Sequence, residues 1–298
     1  MILATAWSCA GMLARMRVDF YSDPAEFLAV AGDYLAADPV NHVVIGRSTQ
    51  QPVPAGVPYW YAILSDTAIR GVAMRTRATA PYPIVVPPLD DASVDVLVSA
   101  LQARGEDASE CNGDVASGSA ILRGLGHEPQ VVFASRLMRL DELIAPRPAS
   151  GSLRPATVDD VEMVKHFRRN FVRDAETQAG RDPEPAEHLR KTFMEGADIA
   201  TLVEAGELWI WEDGEPVCMG VVRNAGLGTR LLEQIYTPES CRGRGYASAL
   251  TADLSQRVLD AGAVPALYTD AANPVSNGVY ERLGYYEVTR TGRVVAQD

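Results

Sequence analysis

The chain has 298 residues, 47% hydrophobic and 22% charged, the make-up of a globular protein long enough for two domains as readily as one. Its formal net charge of -12 argues against a nucleic-acid phosphate backbone as partner and is compatible with a cationic amine ligand. Four scattered cysteines (Cys9, Cys111, Cys218, Cys241) form no C-x-x-C pair and do not cluster with the four histidines, so neither a metal site nor a disulfide framework is expected, and a reducing cytoplasm is the default location.

The largely apolar run from Ile2 to Ala14 is too short to span a bilayer and has no basic residue ahead of it. Residues 1–15 therefore read as an extension outside the fold, with Met12 or Met16 as the natural start, and no membrane partner is expected. Asp23-Pro24 opens a helix through Leu35 with Leu28, Ala31 and Leu35 on one face. Residues 59–64 and 69–76 are apolar, β-rich runs joined by Ser65-Asp66-Thr67, a hairpin. A short strand at 84–86 is closed by Pro87-Pro88, and Asp90-Asp91 caps a helix whose stripe is Val94, Leu97, Val98 and Leu101. A helix over 115–122 and a strand over 130–140 complete the first half.

Residues 145–152, rich in proline and serine, form the linker. A short strand at 153–156 follows, and Thr157 with Asp160 makes a near capping box for a helix with Val161, Val164, Phe167 (or Arg168) and Phe171 inward. A proline-broken loop at 181–185 leads to a second helix at 186–194. The acids of this region (Asp174, Glu176, Asp182, Glu184, Glu187) read as a solvated face rather than an amine-recognition patch. Asp213-Gly214 turns a hairpin between 208–211 and 217–222, whose Trp209 and Trp211 read as core packing.

Leu231, Leu232, Ile235 and Tyr236 belong to a buried strand closed by Pro238. After it come Arg242-Gly243-Arg244-Gly245-Tyr246-Ala247 and a helix with Ala247, Leu250, Leu254, Val258 and Ala261 on one face, stopped by Gly262. A strand, a glycine turn and a helix leave the first N–H groups of the helix free for an anion. The two glycines let a phosphate approach the backbone, and the two arginines add positive charge. Neither the P-loop nor the dinucleotide-fold glycine spacing is present. Downstream, the strand Leu267-Tyr268-Thr269-Asp270 precedes Asn273, which caps a helix starting at Pro274 and ending at Gly284.

Arg242, Gly245 and Ala247 match the R/Q-x-x-G-x-G/A loop, and Asn273, Ser276, Tyr280, Gly284 and Tyr285 match N-x-x-[AS]-x-x-x-Y-x-x-x-G-[FY]. On these two blocks the chain resembles the GNAT superfamily of N-acetyltransferases over roughly residues 152–290. The resemblance implies an α/β (α+β) fold of the GNAT type, a mixed and mostly antiparallel sheet flanked by helices, with two such domains in tandem. In this reading residues 16–144 are a degenerate GNAT-like or α/β cap domain, 145–152 the linker and 153–298 the catalytic domain. In the first half the equivalent of the phosphate loop is Val86-Pro87-Pro88-Leu89-Asp90-Asp91, which lacks glycine and would repel a pyrophosphate.

The resemblance also implies the chemistry: acetyl-CoA as co-substrate, no metal, and transfer of the acyl group to a primary amine by direct attack in a ternary complex. The amine belongs to a small molecule or a protein. The pantetheine arm would enter where the strand ending at Thr237 splays from the strand at Leu267, pairing with backbone at Ile235, Tyr236 and Thr237. Pyrophosphate would rest on Arg242, Gly243, Arg244, Gly245, Tyr246 and Ala247, with Asn273 reaching the cofactor from the other side. Tyr280 matches the tyrosine that protonates the departing sulfur. Glu233, placed by strand parity on the face of Ile235 and Thr237, is the candidate base. Two alternatives stay open: a non-catalytic acyl-CoA-binding or regulatory module, and a transferase using aminoacyl-tRNA.

Overall fold

The computed structural model describes residues 16–50, 59–75, 83–106, 108–182 and 199–297. The extension at 1–15, the helix expected over 186–194, and Glu184 and Glu187 lie outside these described residues. The first half runs β1 (Arg17–Tyr21), α1 (Pro24–Ala37), α2 (Val43–Ser48), β2 (Trp60–Ser65), β3 (Ile69–Arg75), β4 (Ile84–Val86), α3 (Asp91–Ala103), β5 (Glu110–Asp114), α4 (Val115–Gly124), β6 (Pro129–Arg139). The second repeats that order: β7 (Ser152–Pro155), α5 (Val161–Gln178), α6 (Ile199–Glu204), β8 (Leu208–Glu212), β9 (Pro216–Asn224), β10 (Thr229–Tyr236), α7 (Tyr246–Asp260), β11 (Val264–Asp270), α8 (Pro274–Arg282), β12 (Tyr286–Ala296).

Among the described residues the strands form one twelve-stranded sheet in the order β1-β2-β3-β4-β5-β12-β6-β11-β10-β9-β8-β7. All neighbours are antiparallel except β4 with β5 and β10 with β11. This is the mixed, mostly antiparallel sheet flanked by helices that the resemblance implies, built twice. The last strand of each half fills a slot in the other. β12 lies between β5 and β6, pairing Thr291 with Asp114 and Tyr286 with Arg139, and β6 lies between β12 and β11, pairing Ala266 with Arg139.

Helix formation follows local signals. Asp23 caps α1, accepting from the Ala25 N–H at 2.7 Å, and Thr157 with Asp160 closes a complete capping box ahead of α5. On one face of the second half, Leu250, Leu254 and Val258 of α7 pack on Leu232, Leu267 and Met138; on the other, Phe167 of α5 and Leu202 of α6 pack on Ile210 and Tyr236. Val40 and Val43, beside and in α2, meet Leu231, Ala225 and Ala266, so the first half covers part of the second half's sheet. Trp211 is buried with its indole N–H donating to the Ser150 carbonyl at 2.8 Å, and Trp209 lies under the Arg257 guanidinium. Both tryptophans are packing residues of the α7 face.

Candidate functional site

Glycine at two positions decides the shape of the loop at 242–247. Gly243 and Gly245 have φ of 77° and 86°, the left-handed region in which a Cβ is strained. A Cβ on Gly243 would meet nothing within 4 Å, and one on Gly245 only Ala149 at 3.8 Å, so the requirement comes from backbone shape and from the open space in front of it. Gly245 is the N-cap of α7 and no side chain caps that helix, leaving its first N–H groups turned to the cleft. Arg244 is exposed at the turn, whereas Tyr246 is buried and its hydroxyl donates to Asp213 at 2.5 Å. Ala247 lines the cleft one residue further on.

The equivalent end in the first half is closed. Asp90 caps α3, accepting from the Ser93 N–H at 2.7 Å, and the Leu89 N–H donates to Ser117 Oγ at 2.9 Å. β4 stays paired with β5 along its whole length, and a Cβ on Gly113 would stand 2.1 Å from the Val86 carbonyl oxygen. No gap exists there.

In the second half the gap is present. β10 pairs with β11 only from Thr229–Val264 to Leu232–Leu267, although the strands continue to Tyr236 and Asp270. The splay opens into a cleft of about 400 Å³ lined by Ile235, Tyr236 and Thr237 on one side, Asn273 and Tyr280 on the other, and the glycine loop at its mouth. A bulge lies just where the pairing ends. Gln234 has φ 53° and the β9–β10 register shifts between Glu233 and Tyr236. Its side-chain oxygen accepts from the buried Arg168 Nε at 2.7 Å, which holds the bulge toward α5.

That bulge corrects one expectation. Leu232 and Ile235 both face α7 while Leu231, on the other face, packs with Val43, and Tyr236 packs with Phe167 of α5. The extra residue resets the alternation, so Glu233 lies on the α5 and α2 side, opposite Ile235, and not on the shared face that strand parity predicted. There it sits 3.7 Å from Arg223, with burial raising its carboxyl above the usual range against the pull of Arg223 and Arg47.

Tyr280 of α8 is buried beside Tyr285, ring centroids 6.0 Å apart, and its hydroxyl makes no hydrogen bond to another described residue. Burial pushes its phenol well above the ordinary value, so it keeps its proton. Buried Cys218 shows the same effect on a thiol, pushed up to about 12 by burial. Asn273 caps α8, accepting from the Val275 and Ser276 N–H groups, each at 3.1 Å, and lines the cleft from that position. Arg242 is exposed at the loop, but its Nε donates to the Thr237 carbonyl at 3.1 Å and its Nη2 to Asp174 at 2.6 Å.

Asp174 corrects a second expectation. It is not part of a solvated acidic face: its side chain is 15% exposed and accepts from Tyr236 Oη at 2.9 Å as well as from Arg242. Its neighbours Glu176 and Asp270 are both paired with Arg181. The signal was available, since Asp174 is seven residues after Phe167 and three after Phe171 and so falls on the inward stripe. No group of three or more His, Cys, Asp or Glu residues arranged for a metal occurs among the described residues.

Residues 217–294, which hold the splayed strands, the loop and α8, match the family model described as FR47-like protein. An acetyltransferase of Agrobacterium fabrum is 32% identical over 128 residues, 43% of this chain and 88% of that protein. The chain belongs to the GNAT superfamily of N-acetyltransferases. Two GNAT structures share the fold of nearly the whole chain. One from Colwellia psychrerythraea aligns with a TM-score of 0.55 at 12% identity over 94% of this chain and 100% of that one. One from Sphaerobacter thermophilus aligns at 0.53 and 15% over 94% and 95%. As a GNAT protein the chain is an acyltransferase, and members of that superfamily use acetyl-CoA in general. No helix among the described residues is long and apolar enough to cross a membrane.

Proposed function

We propose that this GNAT protein is an acetyl-CoA-dependent N-acetyltransferase that acylates a primary amine by direct attack, with both substrates bound together. The observation that carries this reading is the contrast between two equivalent helix ends. α7 begins at an uncapped glycine facing an open cleft, while α3 begins at an aspartate that fills the same position with its own carboxylate. A single cofactor site follows, in the second half.

The residues present fit coenzyme A. Arg244 and the N–H groups after Gly245 would hold the pyrophosphate, and the β10 edge at Ile235 and Thr237, beyond its last pairing with β11, would pair with the pantetheine arm. When bound, acetyl-CoA supplies an activated acyl carbonyl. One of the β10 N–H groups would polarise that carbonyl. Tyr280, protonated across the neutral range, is the proton donor for the leaving sulfur. Glu233, more basic than a free carboxylate, would take the amine proton from the α5 side, directly or through water. The acceptor is a small-molecule or protein amine, with neither nucleic acid nor membrane as partner.

Calorimetric titration of coenzyme A into the wild type and Gly245→Asp, alongside thermal melts, tests the site. Binding is expected in the wild type and lost in the variant, since a carboxylate there repels the pyrophosphate. The variant should melt within about 1–2 kcal/mol of wild-type stability, because aspartate tolerates the left-handed region better than most residues. A wild type that does not bind refutes the reading. Thiol release in a panel of amines then tests turnover, and tight binding without any turnover would favour an acyl-CoA-binding module instead.

A further inference from the structure

The last two turns of α5 and the residues just after it touch both walls of the cleft. On the β10 wall, Asp174 accepts from Tyr236 Oη at 2.9 Å and from Arg242 Nη2 at 2.6 Å, and its other oxygen accepts from Arg173 Nε at 3.0 Å. On the β11 wall, Gln178 accepts from Asn273 Nδ2 at 3.2 Å and Arg181 pairs with Asp270. These ties span the place where β10 and β11 have parted and no longer hold each other through a ladder.

Arg242 is the informative member. Its Nε is committed to the Thr237 carbonyl and its Nη2 to Asp174, so two of its donor groups are already held by other residues of the cleft wall. A guanidinium bound in this way fastens the end of β10 and the start of the phosphate loop to α5.

We propose that Asp174 is a positioning residue for the cofactor: by holding Tyr236 and Arg242 together it fixes the β10 wall and the phosphate loop in their binding geometry before the cofactor arrives. The proposal rests on the reading that coenzyme A occupies this cleft. Without the carboxylate, Arg242 and the loop would sample other conformations, and ordering them would oppose binding. Burial works against ionisation of Asp174, but the hydrogen bonds from Tyr236, Arg173 and Arg242 outweigh it and hold the carboxyl below its ordinary value, so the staple is closed throughout the neutral range.

The test is calorimetric titration of coenzyme A into the full-length wild type, Asp174→Ala, Asp174→Asn, Arg242→Ala and the Asp174→Ala/Arg242→Ala double variant, with a melting curve for each. Loss of a charge-assisted pair should weaken binding by about 10–100-fold in Asp174→Ala. Asp174→Asn, which retains an acceptor oxygen and nearly the same shape, should fall between, and it serves if the alanine variant does not fold. The double variant should bind little worse than either single one, a coupling that a general loss of stability would not produce. Binding by Asp174→Ala as tight as wild type or tighter would overturn the proposal, showing that Asp174 merely competes with phosphate for Arg242. So would losses that add independently. Wild type failing to bind coenzyme A would instead remove the underlying function, and this proposal with it.

Discussion

Removing β6 from the second half should unfold it, even though β6 precedes the linker. A fragment of residues 151–298 contains both motif blocks and would, on the sequence alone, carry the whole cofactor site. In the structure it lacks the strand between β11 and β12, so β11 keeps only its short pairing with β10 and β12 loses both of its ladder partners, β5 and β6. It also loses Leu137, Met138 and Leu140, which are 2%, 0% and 0% exposed and pack against Leu231, Leu232 and Leu283 among others. Fully burying such a side chain contributes about 1.5–3 kcal/mol, so the three together contribute about 5–9 kcal/mol. Typical domain stability is about 5–15 kcal/mol, and the missing ladder hydrogen bonds add to the deficit. The fragment should therefore show no cooperative melt and no coenzyme A binding, whereas residues 129–298, with β6 restored, should regain both in large part. Circular dichroism melts and calorimetry on the two fragments measure this. A fragment of 151–298 that melts cooperatively and binds coenzyme A like the full chain would refute the reasoning.

Tyr280→Phe should lower kcat by about 10²–10⁴-fold while moving coenzyme A affinity by about tenfold at most, since it removes a proton donor and keeps the ring; steady-state kinetics beside calorimetry separates the two. Asp160, held down to about 2 chiefly by the Arg154 hydrogen bonds, favours the folded state above its ordinary pKa of 3.8 and loses that contribution as pH falls toward 2. Asp160→Asn should accordingly cost about 2 kcal/mol at pH 7 and much less near pH 2, read from denaturant melts at both pH values. Glu233 has the opposite sign: its raised pKa means the fold prefers the protonated form, so its contribution is present at low pH and lost as pH rises through the folded value. Glu233→Gln should thus raise the melting temperature at pH 8 relative to wild type and leave it unchanged at pH 4, the base role being tested separately by loss of rate.

Elements with a strong local signal were legible in the chain. Asp23-Pro24, the Thr157 and Asp160 box, the Asp213-Gly214 turn and Asn273-Pro274 each act within four residues, and the structure has each where the sequence puts it. The two missing glycines in the first half likewise announced that α3 has no room for a phosphate. Elements without such a signal were not legible. β5, reading ECNGD, has almost no β-forming side chain, and β12 is largely half-exposed along an alternation interrupted by glycine. Both are strands because their neighbours offer a ladder, a property of the sheet and not of the segment.

Two features were decided only by tertiary structure, and for one physical reason. A strand's sequence specifies its period and its buried face, but its backbone donors and acceptors accept any partner in register. Nothing in residues 129–139 or 286–296 names the strand beside which they settle, and so the exchange of last strands between the halves is invisible to a local reading. The bulge at Gln234 acts similarly. One residue at φ 53°, held by Arg168 from another element, reverses every parity after it and moves Glu233 to the face opposite Ile235. The residue types of the glycine loop and of α8 were therefore set by the chain itself. Which face each one serves, and which strand completes the sheet around them, was settled by contacts between residues far apart in sequence.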